Sequence, residues 1–254
     1  MTELITDYIK NDKPFVFLKL GDGEYNACHK MNGTNCDGDP YTDKLQTGII
    51  QTIQYFSLQD SVFFGKWHMN HISAYFDSIA KKQLNWIDYH TFIMNPTTFD
   101  NDHKLQLIKS IKESKRPKIL ISNELLVKAN YLLNVDTHIK VPYRNWVDNH
   151  FQEILNTVIE SLQNIDNPLI ITCAGMGSKI LVMEIYKRFP NGMFIDIGSG
   201  LDYLCTKKCS RGWSYSYNTL ETYFEDILPP NWNDPQFEPI YKLAQDNIGI
   251  HLPK

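Results

Sequence analysis

The chain has 254 residues, a net charge of −4 at neutral pH, 43% hydrophobic and 21% charged residues, a composition that excludes disordered and fibrous proteins. No Lys/Arg cluster is dense enough for a nucleic-acid footprint and no apolar run is long enough to cross a bilayer, so neither a nucleic-acid partner nor a membrane span is expected. One domain over residues 1–254 is the simplest organisation at this length, and five widely spaced cysteines, odd in number, point to free thiols in a reducing, cytoplasmic setting.

Residues 1–13 are studded with Glu3, Asp7, Lys10, Asp12 and Lys13 and lack the apolar stretch of a signal peptide. The first predicted strand, Phe15 to Leu20, runs into Gly21-Asp22-Gly23-Glu24. Glycine lets backbone approach a ligand closely, and carboxylates two apart can converge on one Mg²⁺ or Mn²⁺ shared with substrate phosphates. The plainer alternative is a turn at Asp22-Gly23 with Glu24 favouring a helix N-terminus. A helix over Asp43 to Phe56 and a strand over Val62 to Trp67 follow, the latter ending near His68 and His71. Two histidines without a placed third ligand make a weak metal site and read better as pocket or loop residues.

Apolar spacing then predicts a helix at Ile72 to Leu84, a strand at Thr91 to Met94, a helix at His103 to Ser114, a strand at Lys118 to Ser122, a helix at Glu124 to Leu133 and a strand at His138 to Val141. Arg144 precedes a long helix, Trp146 to Leu162. Strand Leu169 to Cys173, the turn Gly175-Met176-Gly177-Ser178-Lys179 and a helix from Lys179 to Phe189 together form an anion site: backbone amides and the helix dipole favour phosphate, and Ser178 and Lys179 add a hydroxyl and a charge. A tight strand-helix connection capped by Ser178 is the alternative. The last strand, Met193 to Ile197, leads into Gly198-Ser199-Gly200-Leu201-Asp202. That stretch resembles the first motif of S-adenosylmethionine-dependent methyltransferases, but Asp202 stands at their third glycine and the strand comes last rather than first. Residues 210–254 form an aromatic, Pro-containing arm with a final helix, whose Trp213, Tyr215, Tyr217, Tyr223 and Trp232 could stack on a base or sugar or pack into the core.

Strict alternation of strand and helix predicts an α/β, Rossmann-like fold: a mainly parallel sheet of about seven strands with helices on both faces. Ligands of such sheets bind outside the carboxyl ends of the strands, where the polar turns above all fall.

Together, Leu20-Gly21-Asp22-Gly23-Glu24, the glycine turn and helix from Cys173 to Leu181, and Ile195-Asp196-Ile197-Gly198 resemble the GT-D fold glycosyltransferase family over roughly Phe15 to Leu204. Lys19 stands where an arginine is expected, and the loop Met31 to Tyr41 has no firm counterpart, which makes it a place for acceptor recognition to differ. The resemblance implies transfer of a hexose, glucose first, from a UDP-sugar to a glycan or glycosylated acceptor. Asp22 and Glu24 are then expected to engage metal (Mn²⁺ or Mg²⁺) and donor, with Gly21 and Gly23 beside them. The turn Gly175, Met176, Gly177, Ser178 and Lys179 would hold the pyrophosphate, supplemented by Arg144. Asp202, Asp148 and Glu124 are candidate bases, all near strand ends. The competing expectations are a methyltransferase and a non-catalytic nucleotide-binding module.

Overall fold

The computed structural model describes residues 2–88, 101–207 and 224–247. Its centre is one seven-stranded sheet, every pairing parallel. The strands are β1 (Phe15–Leu20), β2 (Val62–Lys66), β3 (Trp86–Asp88), β4 (Lys118–Ser122), β5 (Thr137–Lys140), β6 (Leu169–Cys173) and β7 (Met193–Asp196), in spatial order β3-β2-β1-β7-β6-β4-β5. The chain therefore winds outward from β1 to one edge, crosses to β4 and β5 at the other, and returns to the middle through β6 and β7. That brings the carboxyl ends of β1, β6 and β7 side by side, 150 or more residues apart in sequence only for the first of them.

The helices are α1 (Thr2–Lys10), α2 (Asp22–Cys28), α3 (Asp43–Phe56), α4 (Asn70–Ile79), α5 (Asn101–Glu113), α6 (Lys128–Leu133), α7 (Trp146–Asn149), α8 (Phe151–Leu162), α9 (Ser178–Tyr186), α10 (Asp202–Thr206) and α11 (Glu238–Asn247). Side chains alternate across a strand, so both faces of β1 must be apolar if both are covered. They are. Val16, Leu18 and Leu20 join one core with Ile49, Ile53 and Leu181, whereas Phe15 and Phe17 join the other with Ile5, Ile9 and Ile111.

Three helices differ from their predicted bounds for local reasons. The helix expected over Ile72 to Leu84 stops at Ile79, because Ala80 turns extended and Asn85 bonds its side chain to the Val62 carbonyl, starting β3 at Trp86. The strand expected at Thr91 to Met94 lies outside the described residues. Trp146 to Leu162 is broken at His150 (φ −132°), and Glu124 to Leu133 begins as a single 3₁₀ turn capped by the Asn123 side chain. The N-terminal helix α1 was not anticipated; its Ile5 and Ile9 sit one turn apart on the buried face.

Residues 224–247 dock on α6 around a buried cation. Lys128 is fully buried, its ammonium 3.8 Å from the Trp232 ring centre and 2.5 Å from the Tyr241 hydroxyl. A desolvated ammonium over an indole face is stabilised electrostatically, so Trp232 is engaged in packing. Trp213, Tyr215, Tyr217 and Tyr223 lie outside the described residues.

Candidate active site

Glu24 is the first functional side chain the fold positions. Gly21 is the N-cap of α2, and the Glu24 carboxylate at the third helical position folds back so that its Oε2 accepts the Gly21 amide at 2.8 Å. This half of a capping box satisfies an amide that the helix leaves unpaired. The motif is thus helical from Asp22 onward, and helical residues two apart point roughly 200° away from each other. Asp22 is exposed at the cavity; Glu24 is buried beneath it. The two side chains therefore leave α2 in different directions, although both border the same cavity.

Beneath the cavity sits a buried charge cluster that ties three strand ends together. The Lys179 ammonium lies 2.6 Å from Glu24 Oε1 and 2.8 Å from Asp196 Oδ2, and it donates to the Gly175 carbonyl at 3.4 Å. All three donors of the ammonium are used within the protein. Burial opposes its charge, but Asp196 and Glu24 outweigh this and hold its pKa above the ordinary lysine value. Burial likewise pushes the Glu24 carboxyl up; the ammonium groups of Lys179 and Lys19, the Lys179 hydrogen bond and the Gly21 amide reverse that and hold it at about 2. Asp196 adds bonds from the Gly198 amide (3.1 Å) and the Thr172 hydroxyl (3.4 Å). Lys179 is therefore a strut joining α2, the β6 turn and the end of β7, not a group extended toward phosphate.

Above the cluster opens a cavity of about 230 Å³ at the carboxyl ends of β1, β7, β6, β4 and β5. Asp22, Gly23, Glu24, Gly175, Met176, Lys179 and Asp202 all line it, and Lys19 lines it from β1. Other expected residues fall elsewhere. Gly21 is buried with its amide spent on Glu24. Ser178 is fully buried, its hydroxyl accepting the Ala174 amide at 3.3 Å inside the strand-helix connection. Arg144 folds over the 33–39 loop, donating to the Asp37 carbonyl at 2.8 Å, and is not among the residues lining the cavity. Asp148 and Glu124 border neighbouring clefts, which leaves Asp202 as the one candidate base of the three on the cavity wall. His71 packs edge-on against Tyr25 and His68 lies tilted against Trp67. Among the described residues no three His, Cys, Asp or Glu side chains are grouped to hold a metal.

Gly177 also has a different role from the one expected. A Cβ there would lie 2.3 Å from Val147 Cγ2 and 2.4 Å from Trp146 Cζ2, so this glycine lets the β6 turn pack on α7 rather than admitting a phosphate. Gly177→Val is expected to lower stability by about 1–3 kcal/mol without any ligand present, as an overpacked core does. A melting curve for the apo variant that matches wild type would contradict this.

Three contributors were not among the expected site residues, although the loop Met31 to Tyr41 was marked as a place for acceptor recognition to differ. The 33–39 loop forms one wall, with Asn35, Cys36, Asp37 and Asp39 facing the cavity. Its signal was present in the alternation Asn35, Asp37, Asp39 with Gly38, a pattern of Asx turns. Trp146 supports the opposite edge by donating its indole N–H to the Ala174 carbonyl at 3.1 Å. Cys173 lines the floor, where burial pushes its thiol well above the ordinary range and disfavours the thiolate.

No family model and no curated protein sequence matches the chain. Solved structures do match. A structure described as a new glycosyltransferase (domain of unknown function 1792) from Streptococcus sanguinis is 16% identical, covers 93% of this chain and 96% of its own, and superposes with a TM-score of 0.61. A second, described as showing that the highly conserved domain of unknown function 1792 has a distinct glycosyltransferase fold, is 14% identical over 80% of this chain and 78% of its own, with a TM-score of 0.55. A third, a selenomethionine-substituted structure of the same domain, is 16% identical over 90% of this chain and 88% of its own, with a TM-score of 0.57. At such identities the likeness is one of fold, and that fold is a glycosyltransferase fold. The described residues contain no helix long and apolar enough to cross a membrane.

Proposed function

We propose that this chain is a GT-D type hexosyltransferase, moving a sugar, glucose first, from a UDP-sugar donor to a hydroxyl of a glycan or glycosylated acceptor. The observation that supports it most is the cavity at the sheet's switch region, walled by Asp22, Lys19 and the Gly175 turn and braced by the Lys179 cluster. Of the paired carboxylates only Asp22 fits a divalent ion. Glu24 already shares a lysine cation at 2.6 Å, and a second, doubly charged ion beside that ammonium would be repelled. Asp22 would hold Mn²⁺ or Mg²⁺ together with donor phosphates, the oxygen-rich shell these ions favour. Such an ion, when bound, neutralises charge on the departing diphosphate. The Gly175 and Met176 backbone and the Lys19 side chain lie where the diphosphate would rest, and the 33–39 loop covers it from the acceptor side.

The methyltransferase alternative loses support from Asp196, whose carboxylate is fully buried on Lys179 and the Gly198 amide, and from β7, which no described strand follows. The test is thermal. UDP with Mn²⁺ at about 100 times its dissociation constant is expected to stabilise the protein by about 2.7 kcal/mol. Asp22→Asn should lose the part of that gain that depends on Mn²⁺, and S-adenosylmethionine should give none. Stabilisation by S-adenosylmethionine and not by UDP would overturn the reading.

A further inference from the structure

Asp39 ends the loop that walls the cavity, and the chain invests several bonds in aiming it. The Asn35 side-chain oxygen accepts the amides of Asp37 and Asp39, each at 2.9 Å, and the Asn35 amide donates to the Asp39 carbonyl at 2.9 Å. Thr34 and Pro40 form an antiparallel bridge across the loop base, and Arg144 clamps the tip at Asp37. The carboxylate is anchored as well: its Oδ1 accepts the amide of Asn145, a residue in the left-handed conformation (φ 57°), at 2.8 Å. Its Oδ2 has no hydrogen-bond partner among the described residues. That oxygen faces the Gly175 turn, 3.5 Å from where a Cβ on Gly175 would sit, on the cavity wall.

Asp39 is 8% exposed. With the rest of the side chain buried and Oδ1 held by Asn145, Oδ2 is the one oxygen this carboxylate presents to the cavity. We propose that Asp39 is the general base of sugar transfer, and hence that the reaction inverts the anomeric configuration. This assignment rests on the glycosyltransferase reading above. The acceptor oxygen forms its bond to the anomeric carbon while the bond from that carbon to the β-phosphate oxygen breaks, and the electron pair leaves with UDP. The acceptor proton passes to Asp39 Oδ2 and from there to solvent. A retaining reaction would not need this group.

The charges facing Asp39 are Asp37 on its own loop, Arg144 and Asp148 from the stretch after β5, and Asp22, Lys19, Asp202 and the Lys179 cluster around the cavity. Burial is the largest influence and raises its pKa; the Asn145 amide opposes it, Asp37 and Asp148 add to it, and Arg144 opposes it. A raised carboxyl is a better proton acceptor near neutral pH.

The experiment uses water and azide as acceptors, because neither requires the natural one. Asp39→Asn keeps an oxygen for the Asn145 amide and should fold with unchanged melting and UDP affinity. We expect its hydrolysis of UDP-glucose to fall about 100- to 1000-fold and the acid limb of the wild-type pH profile to vanish. Azide carries no proton, so the variant should form glucosyl azide at least as fast as wild type. NMR of the sugar released by wild type should show the anomer opposite to that of the donor. Retained configuration, near wild-type hydrolysis by Asp39→Asn, loss of azide transfer along with hydrolysis, or loss of the acid limb in Asp202→Asn instead would each overturn the assignment. Absence of any turnover by the wild-type protein would remove the glycosyltransferase reading itself, and the assignment with it.

Discussion

Lys179→Met is expected to destabilise the protein by about 3–5 kcal/mol, because it leaves two buried carboxylates without their cation. Glu24 and Asp196 are 4% and 0% exposed and stand 2.6 and 2.8 Å from the ammonium, so neither can turn to water without moving its backbone. For a chain of this size each kcal/mol is worth about 2–4 °C, which places the expected fall in melting temperature near 10 °C. The triple variant Lys179→Met with Glu24→Gln and Asp196→Asn should recover part of the loss, since no uncompensated charge then remains. Equal melting of Lys179→Met and wild type would show that the cluster is not what joins α2, β6 and β7. Turnover should fall further than stability alone explains, because the Gly175 turn and Asp22 are positioned through this strut.

That strut also marks where sequence reasoning stops. The strands at Lys118–Ser122 and Leu169–Cys173 were legible because both faces of a parallel strand are buried, which writes most of the run in apolar letters. Helix Asp43–Phe56 was legible to the residue, with Thr42 accepting the Leu45 amide as its cap. The Gly-Asp-Gly-Glu motif was legible, but not the directions its two carboxylates take. Spacing alone does not say whether residues two apart share a face, as in a strand, or oppose each other, as in a helix, and Asp22 and Glu24 turn on that difference. Lys179 pairs with Glu24, 155 positions away, and the pairing depends on β6 returning beside β1 and β7. One local clue existed: Lys179 sits alone among buried apolar residues of α9, where an unpaired charge would be too costly. Asp39 carried a similar clue in its Asx-turn loop, but its anchor on Asn145 spans 106 residues and is invisible without the fold.

The two carboxylates of the motif should separate cleanly under acid. Glu24 is held at about 2 in the folded protein against an ordinary value of 4.5. A group whose pKa is depressed by folding adds stability that is fully present above its unfolded pKa and is lost as pH falls through its folded one. The displacement is worth about 3 kcal/mol, available above roughly pH 4.5 and lost on approach to pH 2. Lys179 works in the opposite direction: its raised pKa keeps the same pair intact until the solution is more alkaline than an ordinary lysine would tolerate. Glu24→Gln should therefore be less stable than wild type at pH 7, with the gap closing as pH falls from 5 to 3, measured as denaturant midpoints. Asp22→Asn, altering an exposed residue at the cavity, should melt close to wild type at pH 7. Its deficit should appear in turnover, at least about tenfold and greatest at limiting Mn²⁺, as the proposed metal role of Asp22 requires. Parallel pH curves for Glu24→Gln and wild type would remove Glu24 from the strut, and an Asp22→Asn enzyme with full turnover would remove Asp22 from the site.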